Sequence, residues 1–500
     1  MRNTVLGISA GTHDAAATVI HEGEILFAAH AERFSQVKND PELNAELLKE
    51  AESYLHKFRY FESIAYYERP WARYMRQVYT GEKFIPSKQD YTIKHLLEGR
   101  MKKLPVDYHN HHQCHAAAAF QTSPFQEATC VVIDAIGEFD CVTIWNAEYD
   151  NKGVAHYEQV YSRAYPNSIG LLYSAATARV GLRPMDEEYI LMGMAAYGAP
   201  LHEKEIMDAT DGDGNFNINF HAGLPDNFCE GADPFDLAAS VQKVAELLIM
   251  DVFSEAWLKG KTTNFCYGGG VALNCLANSL IQTTLDKGSP WASMWIMPNP
   301  GDAGASLGAA ALSYGRKVNW NGPYLGTNMG EGFYPVDAII DELTENKIVG
   351  VAHGRAEFGP RALGNRSLFA DPRGDDIKDK VNAIKQRQEF RPFAPVIRYE
   401  DAHRFFSMHS DRESPYMQHV YKCFQPKEFP AICHEDLTSR VQTVTFDQHP
   451  GLYQLLTAWY KKTGCPMLLN TSLNIRGMPM VNNNEHAIAF EQEYNVKVIT

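Results

Sequence analysis

A histidine-rich segment is the part of the sequence best suited to chemistry. Residues 107–120 read DYHNHHQCHAAAAF, and on a helix His111 and His115, four residues apart, share one face. Two acids could complete a mixed nitrogen and oxygen ligand set, since Asp134 ends an apolar strand and Asp302 stands at the start of a helix. Such ligands suit iron, manganese or zinc better than magnesium or calcium. The alternative is that these are surface histidines and that Asp302 only caps its helix.

Glycine-rich turns offer a second kind of site. The segment GGGVALN follows a strand and opens a helix, so its bare amides could bind a phosphate or a ribose edge. Close packing of strand and helix would also select glycine there. The turn after the first strand carries His13 and Asp14, an acid–base pair, although turn formation alone would also explain Asp14. The residues of the glycine-rich candidate are Gly268, Gly269, Gly270 and Asn274.

Positive charge gathers in the C-terminal part of the chain, between glycine and proline residues. The turn GRAEFGPRALGNRS brings Arg355, Arg361 and Arg366 together. In a chain of net charge −15, this clustering indicates an anion such as a nucleotide or an acyl phosphate. A solvated basic face is the alternative. Further donors follow at Lys385, Arg391, Arg440, Asn470 and Ser472.

The elements that must position these residues alternate between strands and helices. This order predicts an α/β fold with mainly parallel or mixed sheets. A strand, a turn with an acidic residue and a second strand occur at 5–20 and again at 130–145, which predicts an internal duplication. A stretch at 319–335 that is rich in glycine, proline and asparagine indicates a domain boundary. Long helices are predicted over 42–55, 87–103 and 238–259.

Composition narrows the class of protein. The chain has 500 residues, of which 45% are hydrophobic, and 61 acidic residues against 46 basic ones. This balance favours a folded multi-domain protein and argues against a general binder of nucleic acid or membrane surfaces. The nine cysteines have no regular spacing, which favours reduced thiols. With no signal-like N-terminus and no apolar run of about 20 residues, we expect a cytoplasmic enzyme.

Ten short motifs, in this order, resemble the O-carbamoyltransferase family, which includes the nodulation-factor, cephem and aminoglycoside-antibiotic carbamoyltransferases. The resemblance covers nearly the whole chain. The motifs are HDA at 13–15, ERF at 32–34, HHQCHAAAAF, IDAIGE, LMGMAAYG, GGGVALN, GDAGASLGAA, GPRALGNRSL, RPFAP and LNTSLN.

The resemblance implies two modules and two reactions. Residues 1–325 would form a duplicated actin-like (ASKHA) carbamoyl-transfer domain, and residues 326–500 a YrdC-like α+β domain. The second domain would convert carbamoyl phosphate and ATP, with magnesium, into carbamoyl adenylate. The first would transfer the carbamoyl group to a hydroxyl acceptor. The expected partners are therefore ATP, carbamoyl phosphate and that acceptor, with no membrane, and a homodimer is left open.

The resemblance also implies roles for single residues. His13 would deprotonate the acceptor, Asp14 could orient His13, and Lys38 would be a further basic residue of the transfer site. Fe(II), or another divalent transition metal, would be held by His111, His115, Asp134 and Asp302. Carbamoyl phosphate and the adenylate would be bound by Arg361, Lys385, Arg391, Arg440, Asn470 and Ser472.

The acceptor stays open at this point. Ile190 stands where many members have lysine, and Ala135 and Ile136 replace glycine-rich sequence, so acceptor specificity does not carry over. A small polyhydroxylated molecule is the leading option. Other options are tRNA threonylcarbamoylation and a regulatory actin-like ATPase that needs no carbamoyl phosphate. A hydroxymethylated pyrimidine in DNA is a further alternative, with a basic groove at Arg69, Arg73, Arg76, Lys83, Lys88 and Lys94.

Overall fold

The computed structural model describes residues 2–55, 60–211, 214–288, 293–374 and 376–500, and it divides into two compact units. The first unit comprises residues 1–31 and 39–320, and the second comprises residues 32–38 and 321–500. The division expected from the sequence at 325/326 places 32–38 with the N-terminal domain, whereas in the structure this short segment is part of the second unit.

Both units combine helices with sheets, so the fold is of the mixed α/β class that the sequence predicts. The strands of the first unit are β1 Thr4–Ser9, β2 Ala16–His21, β3 Glu24–His30, β4 Ser63–Tyr66, β5 Val106–Tyr108, β6 Glu127–Gly137, β7 Asp140–Tyr149, β8 Ala155–Ala164, β9 Asn264–Gly268 and β10 Ser293–Ile296. Those of the second are β11 Tyr324–Met329, β12 Ile348–Ala352, β13 Gly354–Glu357, β14 Arg366–Ala370, β15 Ala394–Arg398, β16 Tyr421–Lys422, β17 Thr438–Ser439, β18 Gln442–Val444, β19 Met467–Ser472 and β20 Val498–Ile499. The helices, in chain order, are α1 Glu32–Ser35, α2 Ala45–Ser53, α3 Pro70–Tyr79, α4 His111–Thr122, α5 Ile169–Arg179, α6 Glu188–Met194, α7 Glu203–Met207, α8 Pro234–Lys259, α9 Cys275–Gly288, α10 Asp302–Tyr314, α11 Val336–Asn346, α12 Ile377–Lys385, α13 Tyr399–Phe405, α14 Pro450–Thr463 and α15 Asn484–Tyr494.

The first unit contains two five-stranded sheets with one topology. Their orders are β3-β2-β1-β4-β5 and β8-β7-β6-β9-β10. In each sheet the first three strands of the chain pair antiparallel, and the fourth and fifth pair parallel. One helix follows the fifth strand of each sheet, α4 in the first half and α10 in the second. The internal duplication predicted from the repeated strand–turn–strand pattern is therefore confirmed.

Small residues let α4 and α10 pack closely. A run of four alanines follows His115 in α4, and a side chain at Gly308 of α10 would overlap the carbonyl oxygen of Cys114. The start of α4 is fixed by Asn110, whose side chain accepts a hydrogen bond of 2.9 Å from the amide of Gln113. Helices α4 and α10, which hold equivalent positions in the two halves, therefore pack against each other.

One predicted helix is wrong. Residues 87–103 form short 3-10 turns at 88–90, 94–96 and 101–103. Asp90 accepts hydrogen bonds from both the amide and the hydroxyl of Ser87, and Gly99 has a left-handed φ of 52°. Side-chain bonds of this kind compete with helical backbone bonds, which the charge pattern alone does not reveal.

The second unit is built around a six-stranded sheet of order β18-β15-β19-β14-β12-β20. The strand β19 runs antiparallel to both β14 and β15, and β18 runs parallel to β15. The C-terminal end of β19 therefore lies at the same edge as the N-terminal ends of β14, β15 and β18. Helices α11 and α14 contribute buried side chains such as Leu343 and Trp459 to the core of this unit.

Two further expectations concern cysteines and membranes. All nine cysteines lie in the described ranges, where each is a buried free thiol. Among the helices of those ranges, we find none whose length and apolar content would let it cross a bilayer.

Candidate functional site

Four side chains converge at the duplicated helix starts of the first unit. His111 and His115 lie in the first turns of α4, Asp302 begins α10, and Asp134 lies near the C-terminal end of β6. Each residue offers a ligand atom, and these four atoms lie within 4.8 Å of one another. The structure thus brings together the four residues that the sequence analysis grouped as a metal site, and we call them the histidine–aspartate cluster.

The alternative of surface histidines is wrong. His111 and His115 are 3% and 1% exposed, and their Nε2 atoms face each other at 3.1 Å. His111 Nε2 lies 3.1 Å from Asp134 Oδ2, and His115 Nε2 lies 3.3 Å from Asp302 Oδ1. The residue at the cap position of α10 is Gly301, so Asp302 does not act as the N-cap.

The chemistry of these donors fits a divalent transition metal. Burial opposes charge on all four groups, but the two carboxylates raise the pKa of both histidines, and the histidines hold the pKa of both aspartates below the usual range. Two imidazole nitrogens and two carboxylate oxygens, buried and convergent, are the ligands that iron, manganese and zinc accept. The cluster is therefore a candidate metal centre.

The glycine-rich turn supports one ligand directly. The amide of Gly270 donates a hydrogen bond of 3.1 Å to Asp134 Oδ1, which leaves Oδ2 facing the histidines. Gly269 has a φ of 90°, and a side chain there would overlap the carbonyl oxygen of Ile133. A side chain at Gly268 would come within 3.1 Å of the backbone of His115. In this structure the turn positions Asp134, one of the candidate metal ligands. Phosphate binding by the turn stays a prediction.

The side chain of Asn274 forms hydrogen bonds within the protein. Its side-chain oxygen caps α9 by accepting from the amide of Ala277 at 3.1 Å, and its side-chain amide donates to Gln242 at 3.0 Å. These contacts hold the turn against α8, which carries Gln242. Contact of Asn274 with a nucleotide stays a prediction.

His13 lies at the rim of the histidine–aspartate cluster. Its Nε2 is 3.7 Å from Asp302 Oδ2, and its Nδ1 is 3.0 Å from Asp14 Oδ2. Burial lowers the pKa of His13, but Asp302 and Asp14 more than offset that effect and raise it to about 9. Asp14 adopts a left-handed φ of 51°, which is uncommon for a residue other than glycine. The structure therefore places the predicted base next to a predicted metal ligand.

Residues that follow β4 also lie beside the cluster, and they were not predicted from the sequence. The ring of Tyr67 lies 5.1 Å from that of His111, and its hydroxyl is 2.8 Å from Thr12 Oγ1. Glu68 is buried and forms an ion pair with Arg73. A signal was present, since β4 lies beside β1 and both strands end at the edge where the His13 turn begins.

The predicted anion-binding residues gather at one edge of the second unit's sheet. Arg361 precedes β14, Arg391 precedes β15 and Arg440 precedes β18, while Asn470 and Ser472 lie toward the C-terminal end of β19. Because β19 runs opposite to β14 and β15, these positions meet, as the pairs Ser472–Ser367 and Asn470–Ala394 show. We call this set, together with Lys385, the cationic edge.

Lys385 ends α12 and reaches into that edge. Its ammonium group donates to the Ser472 carbonyl at 2.6 Å and to the Asn474 carbonyl at 2.7 Å. Burial, together with the charges of Arg387, Arg391 and Lys38, lowers the pKa of Lys385 well below its usual range. Lys38 is thus an electrostatic neighbour of Lys385 within the second unit. Asn474, which the sequence analysis did not select, stands in the same LNTSLN motif.

Asn470 ties the strand to the arginine turn. Its amide donates to the Ala362 carbonyl at 3.1 Å and to Gln442 Oε1 at 2.7 Å. Gln442, also missed, donates to the Leu363 carbonyl at 3.0 Å. Within the described residues, the buried Asn470 Oδ1 and Arg440 Nε have no hydrogen-bond partner. Such atoms take a partner from outside the protein, either a ligand or an ordered water molecule.

Two arginines of the predicted anion site have another function. Arg366 is fully buried and donates to the carbonyls of Gly354, Asn365 and Thr327 at 3.0, 2.8 and 2.8 Å. Arg355 donates to the carbonyls of Leu325 and Gly326. The expectation that these side chains balance a bound anion is therefore wrong, because they fasten β11 to the turn. Their spacing resembled that of ligand-binding arginines, and only their burial distinguishes them.

Comparison with known proteins covers both units. Residues 49–311 match the model described as "Carbamoyltransferase N-terminus", and residues 340–500 match "Carbamoyltransferase C-terminus". An uncharacterized protein of Synechocystis sp. is 32% identical over 97% of this chain and 93% of its own length. Nodulation protein NolNO of Sinorhizobium fredii is 28% identical over 95% and 76%. The 3'-hydroxymethylcephem-O-carbamoyltransferase of Amycolatopsis lactamdurans is 34% identical over 44% of each chain.

Among solved structures, full-length HypF in its phosphate- and nucleotide-bound form matches 62% of this chain and 55% of that one. The identity is 12% and the TM-score is 0.40, values at which the likeness supports no conclusion about this chain. The family models and the relatives decide the assignment: the chain belongs to the O-carbamoyltransferase family of enzymes.

Proposed function

We propose that this enzyme makes carbamoyl adenylate from carbamoyl phosphate and ATP, with magnesium, and then transfers the carbamoyl group to an acceptor hydroxyl. The observation that carries the proposal is the presence of two sites of opposite character in one chain. The cationic edge gathers like charges that a polyanion would balance. The histidine–aspartate cluster gathers ligands that a divalent cation would balance.

The first step belongs to the cationic edge. Water releases phosphate from carbamoyl phosphate, and an oxygen of the resulting carbamate attacks the α-phosphorus of ATP. A new oxygen–phosphorus bond forms as the α–β bond breaks and pyrophosphate leaves. Arg361, Arg391 and Arg440 would hold the phosphate charges, and Lys385 would hold Ser472 in position through its contact at 2.6 Å.

The unpartnered Asn470 Oδ1 suits the amino group of the carbamoyl moiety. That group has two N–H donors, which phosphate and acetyl groups lack. Asn470 is buried, and a buried acceptor that lacks a hydrogen bond lowers the stability of the folded protein. This contact would select carbamoyl phosphate over acyl phosphates that have no amino group.

The second step belongs to the first unit. The acceptor hydroxyl attacks the carbonyl carbon of carbamoyl adenylate, the carbon–oxygen bond to AMP breaks, and AMP leaves. His13 would take the hydroxyl proton at an imidazole nitrogen, and Asp14 would hold the ring through its contact of 3.0 Å. His111, His115, Asp134 and Asp302 would hold Fe(II) or another divalent transition metal. When bound, such a cation would polarise the carbamoyl carbonyl and offset the carboxylate charge that raises the pKa of His13.

The finer fold assignment is part of the same proposal. The shared order and directions of the two five-stranded sheets support a duplicated actin-like (ASKHA) fold for the first unit. The gathering of cations at one edge of the six-stranded sheet supports a YrdC-like domain for the second.

A small hydroxylated molecule is the acceptor that we propose. The relatives with printed activities are named for a hydroxymethylcephem substrate, and we extend that substrate class to this chain. Ile190 is buried in α6, so this departure from the family pattern adds an apolar side chain to the interior of the unit.

The DNA alternative has less support, because most of its proposed groove is neutralised. Four of the six basic residues form ion pairs: Arg69 with Glu138, Arg73 with Glu68, Arg76 with Glu82 and Lys83 with Asp90. Paired cations release fewer counterions on DNA, so they add little affinity. No described contact favours tRNA threonylcarbamoylation or a regulatory ATPase over O-carbamoylation.

The test is an acceptor screen on the purified protein with ATP, Mg²⁺ and carbamoyl phosphate. We expect an increase in mass of one carbamoyl group on a small alcohol or polyol, and no such increase when acetyl phosphate replaces carbamoyl phosphate. Hydroxymethylated DNA is included as a competing acceptor. Folded protein that releases no pyrophosphate with any acceptor, or without one, would contradict the proposal.

A further inference from the structure

A second group of metal-binding side chains lies in the first unit, on elements that do not form the histidine–aspartate cluster. His202, Glu205 and Cys229 each offer a ligand atom, and these atoms lie within 4.8 Å of one another. His202 Nδ1 is 3.7 Å from Glu205 Oε2, and the amide of Cys229 donates to Glu205 Oε1 at 2.8 Å. We infer that these three residues bind a Zn²⁺ ion.

The donor set includes a thiolate, which the histidine–aspartate cluster lacks, and this favours zinc. A thiolate, an imidazole and a carboxylate form the mixed sulfur, nitrogen and oxygen set that tetrahedral Zn²⁺ accepts. Cys229 is 2% exposed, whereas the Glu205 side chain is 44% exposed and that of His202 is 23% exposed. An ion can therefore enter from solvent, and a water molecule can supply the fourth ligand.

Two of the ligands lie at the start of α7, where His202 is the N-cap residue, and Cys229 lies on a separate loop. The amide of His202 donates to Ser240 of α8 at 3.0 Å, and Glu205 stands on α7. The guanidinium of Arg179, on α5, donates to the carbonyls of Leu224, Pro225 and Phe228 at 2.7, 2.6 and 3.0 Å. These bonds fix the loop that ends at Cys229, whose backbone has a left-handed φ of 49°. The site is thus largely formed before an ion arrives, which favours binding.

The surrounding segment explains what the ion would do. Between α6 and α8 the described residues form the five-residue helix α7, two 3-10 turns at 195–197 and 220–222, and an isolated β-bridge between Thr210 and Phe216. A zinc ion that joins His202 to Cys229 would close a loop within this weakly structured segment. Binding to the folded state alone then stabilises that segment.

Cobalt is the probe for the test, because thiolate ligation gives Co²⁺ a charge-transfer band in the near ultraviolet. The histidine–aspartate cluster has no sulfur, so the band reports the second site even when both sites are filled. We expect metal-free, full-length protein to develop this band to the intensity of one thiolate-bound Co²⁺ per chain, and Zn²⁺ to abolish it by displacement. Zn²⁺ is also expected to raise the Tm of the protein.

Two variants and one control make the result specific. Cys229→Ser is expected to lose the band. His202→Asn is expected to weaken Co²⁺ affinity by more than about a hundredfold, a larger loss than is typical for a residue that only hydrogen-bonds to a metal ligand. Cys465→Ser, which changes a buried free thiol of the second unit, is expected to keep the band. Circular dichroism checks the folding of each variant, and His202→Asn decides the question if Cys229→Ser does not fold. No band in folded wild-type protein, or a full band in Cys229→Ser, would overturn the inference.

Discussion

The histidine–aspartate cluster and the cationic edge are assembled in opposite ways. The cluster brings two histidines and two carboxylates within 4.8 Å, so its groups attract one another before any ligand arrives. At the cationic edge, Lys385 lies near Arg387, Arg391 and Lys38, and all of these groups carry positive charge when protonated. The cluster would lose ion pairs when a cation enters, whereas the edge would lose repulsion when an anion enters.

This difference shows how each unit holds the side chains of its site in place. The cluster is positioned by the starts of α4 and α10 and the end of β6, and regular elements fix those positions. The edge depends on turns, which are held by buried polar contacts such as those of Arg366 and Asn470. Substitutions should therefore have separable effects: ligand loss in the first unit, and either ligand loss or unfolding in the second.

The largest effect is expected at the histidine–aspartate cluster. His115→Ala removes one of four ligands and should lower the metal content by about one ion per chain, the ion of the histidine–aspartate cluster. It should also slow carbamoyl transfer by about a thousandfold, the effect of losing several kcal/mol of charge stabilisation. Elemental analysis and a transfer assay provide the measurements. His109→Asn is the control, because His109 contacts Ser313 rather than the cluster and should retain the metal. Full metal content in His115→Ala would show that the cluster is not the binding site.

The cationic edge should respond next. Lys385→Met removes the ammonium group that bonds to Ser472 and Asn474, and we expect pyrophosphate formation to fall by about a hundredfold while metal content is unchanged. Lys380→Met is the matched control on the same helix, since Lys380 is exposed and pairs only with Asp376 in the described structure. Equal activity in the two variants would refute a role for Lys385 in the first step.

The arginine turn separates stability from binding. Arg366→Met leaves four backbone carbonyls without this donor, so the free energy of unfolding should fall by about 4 kcal/mol. Arg361→Met should lower it by less than about 1 kcal/mol while abolishing pyrophosphate formation. Urea unfolding of both variants, followed by the activity assay, measures the two effects. If Arg366→Met were as stable as wild type, its structural role would be wrong.

The last expected effect concerns pH. Burial lowers the pKa of His449 from 6.5 to about 4, and its Nε2 lies 2.8 Å from Asn365 in the arginine turn. Because the unfolded chain binds this proton more readily, stability is complete above pH 6.5 and falls by about 3 kcal/mol as pH drops to 4. His449→Asn preserves a helix cap without titrating, so its loss over that range should be smaller by this amount. An identical pH dependence in the two proteins would exclude His449 as the cause.

The sequence was informative where spacing determines geometry. The separation of four residues placed His111 and His115 on one face of α4, and the ends of a strand and a loop placed Asp134 and Asp302 beside them. Gly269, with its left-handed φ, shows that the turn after β9 was correctly identified. These features depend on local backbone geometry, which short motifs encode.

Other features depend on contacts between distant segments, and the sequence could not show them. Arg355 and Arg366 resembled anion ligands until burial showed their bonds to backbone carbonyls. Residues 87–103 had a helical charge pattern but formed turns around Asp90. The sequence also did not predict that residues 32–38 belong to the second unit, because their packing partners lie far away in the chain.

The central claim is that the two units perform successive steps, and one paired assay tests it most directly. Wild type, Arg361→Ala and His111→Ala are each given ATP, Mg²⁺ and carbamoyl phosphate without an acceptor, and pyrophosphate is measured. We predict release that requires carbamoyl phosphate, is lost in Arg361→Ala and persists in His111→Ala. Loss of release in His111→Ala, in protein shown to be folded, would contradict the assignment of the two steps to separate units.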